Sequence, residues 1–281
     1  METRTPWVLN FDADLELEFG ENYQRPQVIA ARFEDLRARA AGLSRDGAPG
    51  VGYAFCPTPT AIAELSRLGV KVAAAPSFDI LRRVNHRAFC HSLPDRLPHA
   101  AYASDVGALT ATMQRAPSQQ AWMVRRPFGF AGRGRKRFRG TLPENVLRWL
   151  HASFSVGEGV ELVPWVERTL DFGQHGYLAR DGKLTLGELT IQECDEQGAW
   201  LRTRRAAPDE VAIDERDRIR AMAERVASSL LAEGYFGPFG IDGFRFRDTD
   251  GVLRLHSCCD VNARYSMGWA TGMGDNRPDL T

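Results

Sequence analysis

Two stretches of this 281-residue chain combine residue types that can do chemistry. The first is AWMVRRPFGFAGRGRKRFRG, residues 121–140. Arg125 and Arg126 close an apolar run. Gly129, Gly132 and Gly134 then lie among Arg133, Arg135, Lys136 and Arg137, with no acid between positions 122 and 143. Glycines let a backbone approach an anion closely, and their N–H groups can cradle phosphate oxygens. The cations around them suit a polyphosphate's charge. A solvated basic loop or a nucleic-acid patch is the competing reading. No GKS or GKT closes the loop, so it is not a Walker A motif. The second stretch is C-terminal: GPFGIDGFRF carries Asp242, and RLHSCCDVNARYSMG carries Asp260 and Asn262. Residues i and i+2 of a strand share a face. Asp260 and Asn262 therefore converge, and a hairpin partner can bring Asp242 beside them. Two carboxylates and an amide oxygen are hard ligands suited to Mg2+, with Mn2+ possible at the same donors. The plainer alternative is a hairpin with ordinary polar residues.

Elements to position these groups can be read on either side. Residues 122–126 read as the strand that delivers the arginine pair, and 143–152 as a helix after the loop. Residues 160–166, 172–179 and 183–191 read as extended. Residues 213–233 form a long amphipathic helix with Ile219, Met222, Val226 and Leu230 inward and Asp214, Glu215 and Asp217 at its positive end. Residues 239–246 and 253–262 read as two strands joined by a turn at Asp250-Gly251. Upstream, residues 7–10, 51–56 and 70–74 read as strands. Helices fall at 26–43 (Ile29, Phe33, Leu36, Ala40 and Leu43 on one face) and 58–68. That alternation implies a small α/β unit with a parallel sheet. A helix over 79–93, a short strand near Ala101 and a helix over 106–114 lead into the basic loop.

Composition narrows the function classes. Lys+Arg and Asp+Glu are equal at 36 each, so global charge indicates neither a nucleic-acid nor a membrane partner. No run approaches the ~18 apolar residues of a spanning helix. The acidic N-terminus does not read as a signal peptide. The five cysteines form no CxxC pair, which fits a reducing compartment, and a cytoplasmic location is expected. None of the six histidines has metal-ligand spacing with another His or Cys. His175 lies on a strand that can face the site, and Cys258-Cys259 read as packing.

Taken in order, these features resemble the ATP-grasp superfamily of carboxylate–amine ligases over roughly residues 79–268. The family's C-terminal signature is an acid on one strand, then Glu-x-Asn on the next, closely followed by a basic residue. Here it reads Asp242, then Asp260-Val261-Asn262-Ala263-Arg264. The resemblance implies an α/β and α+β fold: a pre-ATP-grasp α/β domain over 1–78, then an ATP-grasp domain over 79–281 whose two lobes hold ATP between them. It implies Arg87 and Arg126 as the two ATP-contacting cations and a flap over Gly129, Gly132, Gly134 and Arg135. It places Val163 and Trp165 at the adenine hinge, with Glu161 in place of the usual acid, and Asp171 at the ribose. Asp242, Asp260 and Asn262 fall as Mg2+ ligands and Arg264 at the reacting centre.

The sequence departs from the pattern by Arg for Lys twice, Asp for Glu at 260, Val at the adenine-binding acid's position and a short first domain. Arg and Lys differ in geometry as well as shape. The function the resemblance implies is ADP-forming: Mg-ATP activates a carboxylate as an acyl phosphate, and an amine displaces phosphate. A phosphotransferase and a non-catalytic nucleotide-binding regulator are the alternatives. Small-molecule carboxylate and amine partners are expected, nucleic acid is not, and the substrates and oligomeric state are not legible.

Overall fold

The computed structural model describes residues 5–30, 33–40, 42–118, 120–129, 134–194 and 200–280. Three short strands, Trp7–Val8, Val51–Ala54 and Lys71–Val72, form the parallel sheet the N-terminal alternation implies, with Val51–Ala54 in the centre. Helix Pro59–Arg67 starts on proline, whose missing N–H costs nothing there, and buries Ala61 and Leu65. One element escaped the sequence reading. Ala13–Phe19 is a helix, although its alternation of acids and apolar residues reads as period two. The helix buries Ala13 and Leu17, and also the Glu16 carboxylate, which accepts hydrogen bonds from Thr58 and Thr60.

The expected helix over 79–93 is two helices, Phe78–Asn85 and Arg87–Ser92. His86 breaks it with an extended backbone, and its Nδ1 accepts the N–H of Ala88 as an N-cap. Arg87 thereby becomes the first residue of a new helix.

Two antiparallel sheets follow. The smaller has the order Ala101–Ala103, Val160–Pro164, Ala121–Arg125, Arg135–Arg139. Helices Val106–Gln114 and Glu144–Phe154 cover it through Leu109, Val146 and Leu150, which pack on Trp122, Val124 and Leu162. The larger has six strands. Its path runs Trp200–Arg205, Thr190–Cys194, Glu167–Leu178, Gly237–Arg247, Leu253–Asn262, and Leu184–Leu186 adds to Glu167–Leu178. Helix Ile213–Ala232 packs on it with Ile219, Met222, Val226 and Leu230 inward, as its periodicity requires.

The sequence boundary at residues 78/79 does not divide the core. Phe11, Leu17, Phe33 and Phe55 belong to the same apolar cluster as Val226, Tyr235, Val261 and Trp269. The first 78 residues therefore share their interior with the C-terminal sheet. The smaller antiparallel sheet has a core of its own, so it is the lobe that can move as a unit.

Candidate functional site

Asp242 and Asp260 sit directly opposite each other on Gly237–Arg247 and Leu253–Asn262, and Asn262 lies one step along opposite Gly240. Val261, between the two polar residues, is buried in the core on the other face. The Asn262 amide donates to Asp242 Oδ2 at 2.9 Å. Gln192 donates to the other oxygen from two strands away. It reaches across Gly173, where a Cβ would stand 3.2 Å from its Nε2. Burial, then the facing Asp260 charge, push the Asp242 carboxyl up to about 6. The one cation bonded to this pair among the described residues is Arg87, whose Nη1 donates to Asp260 Oδ1 at 3.0 Å while its Nε holds the Arg126 carbonyl at 3.0 Å.

This donor set fits a hard divalent cation. It gathers two carboxylates and an amide on one face and leaves their repulsion incompletely offset, which a cation would correct. The Asn262 side chain would present its oxygen instead of its nitrogen to do so. Among the described residues no group of three or more His, Cys, Asp or Glu is arranged to hold a metal ion, so the amide is an integral part of the set.

Between the two antiparallel sheets runs a cleft lined by residues of both, among them Met123, Val163, Trp165, Phe244 and His256. Val163 and Trp165 are thus brought to it as expected, and so is Glu161. Glu161 is 5% exposed and paired with Arg125 at 2.5 Å. Its carboxyl overcomes its burial and falls to about 2 because the Arg125 charge, and then that of Arg87, stabilise the anion. Arg125 also donates to the Cys259 carbonyl at 3.1 Å, tying the two lobes together. The thiols of Cys258 and Cys259 are pushed upward, the latter to about 12, chiefly by burial for Cys259 and by the Cys90 contact for Cys258. That agrees with a packing role.

The other sequence-chosen residues fall elsewhere. Arg126 turns away from the cleft: its Nε donates to Ser153 Oγ at 2.9 Å and its guanidinium covers the Trp149 ring. The physical reason is strand alternation, which sends neighbours 125 and 126 to opposite sides. Asp171 shares the sheet face of Gly173 and Asp242 and is ion-paired with Arg168 at 2.9 Å. Arg264 is held by Asp14 of the N-terminal helix through contacts of 2.7 and 2.8 Å, while its charge still acts on Asp242 and Asp260. In the flap, Arg135 begins the strand Arg135–Arg139 instead of belonging to a loop. Gly134 has φ +77° and its carbonyl accepts the Arg126 N–H, while Gly129 precedes the loop. Gly132 lies outside the described residues. His175 is buried between Thr190 and Ser266, on the same sheet face as Asp242 and Asn262 and beside them. Sequence reading missed Arg125, His91, Gln192 and Asp14. Strand parity could have chosen Arg125 over Arg126, since Glu161 lies at a matching parity on the partner strand.

Comparison with known proteins bears on the fold. No protein-family model matches the chain, and no curated protein matches it. Solved structures do. A biotin carboxylase from Campylobacter jejuni, described as its beta-gamma-ATP complex, superposes with a TM-score of 0.57 at 11% identity over 95% of this chain and 65% of that one. An N5-carboxyaminoimidazole synthetase from Staphylococcus aureus complexed with ADP gives 0.54 at 11% over 94% and 71%. The corresponding ribonucleotide synthetase from Thermus thermophilus gives 0.51 at 14% over 93% and 72%. This chain has the ATP-grasp fold. It spans 21% to 72% of the length of the structures it matches, 56% of a carboxyaminoimidazole ribonucleotide synthase among them. At these identities the likeness extends to the ATP-grasp architecture: two antiparallel sheets with a cleft between them, preceded by a small parallel sheet. No helix of the described residues is long and apolar enough to cross a membrane.

Proposed function

We propose that this chain binds Mg-ATP in the cleft between the two antiparallel sheets and uses it to activate a substrate carboxylate for attack by an amine. The observation that carries this reading is the convergence of Asp242, Asp260 and Asn262 on one sheet face, with Arg87 across from them and the Arg125–Glu161 pair further along the cleft. In this reading Glu161, Val163 and Trp165 hold the adenine, and Asp171 the ribose. Arg87 and the loop bearing Gly129, Gly132, Gly134 and Arg135 meet the phosphates. Asp242, Asp260 and Asn262 would hold Mg2+ or Mn2+, which when bound offsets phosphate charge and orients the chain of phosphates.

The reaction needs positioning more than acid–base chemistry. A carboxylate oxygen attacks the terminal phosphorus and the bond to ADP breaks. The amine nitrogen then attacks the acyl carbon, the carbon–oxygen bond to phosphate breaks, and the amine proton leaves to solvent. Arg87 on Asp260 and the main-chain N–H groups of the loop are the chain's own means of steadying negative charge as it moves.

One observation favours a second reading, a nucleotide-binding protein that does not complete ligation. The Arg264 fork, which a ligase would turn to the reacting centre, is bound by Asp14. Phosphate release measured with Mg-ATP against a panel of carboxylates and amines, followed by mass spectrometry, separates the cases. An amide product supports the ligase and a phosphorylated product a phosphotransferase. Nucleotide binding with no product under any combination supports the second reading.

A further inference from the structure

We propose that His91 reads a ring nitrogen of the bound base, supplying a hydrogen-bond donor beside the Glu161 acceptor. The inference rests on the adenine-nucleotide reading above. Adenine presents an amino group beside a ring nitrogen on either edge, so a pocket that reads an edge must offer an acceptor next to a donor. Glu161 supplies the acceptor.

The hinge positions from Val163 to Trp165 supply no donor near it. The Trp165 main-chain N–H is given to the Ala121 carbonyl at 2.7 Å. In an antiparallel ladder bonded pairs recur every second residue, so Val163 likewise exchanges its main-chain bonds with Met123. Position 164 points the other way, past the end of Ala101–Ala103, where the strand edge is open to the cleft. It is there that a free N–H would face the base, and position 164 is proline, which has none. Both Ala100 and Pro164 line the cleft at this edge.

A side-chain donor stands at the same edge. Two buried imidazole nitrogens lining this cleft lack a hydrogen-bond partner among the described residues, Nδ1 of His91 and Nδ1 of His256. His91 Nδ1 stands 3.7 Å from Glu161 Oε1. That is too long for a hydrogen bond, and it sets a donor and an acceptor side by side at the spacing of one base edge. His256 instead faces Asp95, whose carboxylate is already committed to the N–H and hydroxyl of Ser257. The Arg125 guanidinium is directed to Glu161 and the Cys259 carbonyl.

Calorimetric titration of the full chain with the Mg2+ complexes of ATP, 1-deaza-ATP and 7-deaza-ATP tests the assignment, because each analogue removes the ring acceptor from one edge. The wild type should bind one analogue about tenfold more weakly than ATP, the usual effect of one lost hydrogen bond. His91→Phe should weaken ATP by about the same factor and erase the difference between ATP and that analogue. His91→Asn, which keeps an N–H where Nδ1 stands, should retain most of the affinity.

Equal binding of ATP and both analogues by the wild type overturns the proposal. So does a His91→Phe protein that binds ATP normally, or one that loses ATP and both analogues alike. A loss of discrimination in His256→Phe with His91→Phe unchanged overturns it too. Should His91→Phe fail to fold, the wild-type analogue series and His91→Asn still decide. A wild type that binds no ATP at all removes both this inference and the function it rests on, whereas ATP binding without analogue discrimination removes this inference alone.

Discussion

At one end of the cleft Glu161 is ringed by cations and a ring: Arg125 at 2.5 Å, His91 at 3.7 Å and the Arg87 charge beyond. At the other end Asp242 faces Asp260, and among the described residues the only guanidinium bonded to the pair is Arg87. Both ends use acids and arginines, yet their carboxyls titrate in opposite directions. Glu161 stays ionised down to about 2, whereas Asp242 holds its proton up to about 6. A carboxylate that is fully paired supports the fold. A pair of carboxylates left facing each other costs stability and persists where a ligand compensates. In the proposed reading the base end is thus preassembled, and the phosphate end awaits positive charge.

The sharpest way to break that contrast is Asp260→Asn. The amide keeps the shape and removes one negative charge from the face. If the face holds Mg2+, turnover should fall more than a hundredfold, roughly 3 kcal/mol of transition-state stabilisation. Asn262→Ala should act in the same direction. Melting temperature should change little, because relief of the Asp242 repulsion offsets the loss of the Arg87 contact. Mg2+ alone should raise the melting temperature of the wild type more than that of Asp260→Asn. Near-normal turnover in a folded Asp260→Asn protein would remove the metal from this face.

At the other end the same exchange should do the reverse. Glu161→Gln leaves the buried Arg125 without a counter-charge, and breaking a buried pair in this way costs about 3 kcal/mol or more. The sign with pH follows from linkage. The folded carboxyl sits at about 2, below its ordinary value near 4.5, so its contribution is complete above 4.5 and is lost as pH falls from there toward 2. The gap in stability between wild type and Glu161→Gln should therefore be widest above pH 4.5 and close below it. Urea denaturation across that range measures it, and a gap independent of pH would show that the charge of Glu161 is not what stabilises the lobe.

How far these ends were legible differs for the same reason. The acid pair was visible in the sequence because Asp260-Val261-Asn262 obeys strand alternation and Asp250-Gly251 announces the turn that brings Asp242 alongside. The base end was only half visible. Glu161, Val163 and Trp165 sit on a strand whose apolar pattern is plain, and the structure brings them to the cleft. The cation opposite Glu161 depends on which of two adjacent arginines shares its face, a one-residue question that composition cannot answer and pairing register can. His91 was out of reach because the helix over 79–93 reads as continuous, and the break at His86 that turns the second helix comes from a cap. The tie between Asp14 and Arg264 joins residues 250 positions apart, through a helix whose alternating acids disguise its period.

The smallest expected effect concerns His175, which lies opposite Gly240 on the sheet face that carries the acid pair. The Thr190 hydroxyl donates to the Gly173 carbonyl at 2.8 Å, so toward His175 Nε2, 3.3 Å away, it can only accept. The ring proton is therefore on Nε2, and Nδ1 accepts from the Ser266 hydroxyl, also at 3.3 Å. Gly240, Gly268 and Gly272 press on the ring so closely that a Cβ on any of them would stand within 2.9 Å of it. No water or carboxylate can enter to stabilise an imidazolium, and burial pushes the ring's pKa down to about 4 from an ordinary 6.5. The unfolded chain thus binds a proton that the folded chain refuses between those values. Stability is complete above 6.5 and declines as pH falls toward 4, by at most about 1.4 kcal/mol per pH unit from this group. His175→Gln removes that titration while keeping an N–H to offer Thr190. Its melting temperature should lie below the wild type's at pH 7 and approach it as pH falls from 6.5 to 4. Groups common to both proteins cancel in the difference, so parallel curves through this window would mean that His175 titrates normally and that the ring is not sealed beside the acid pair.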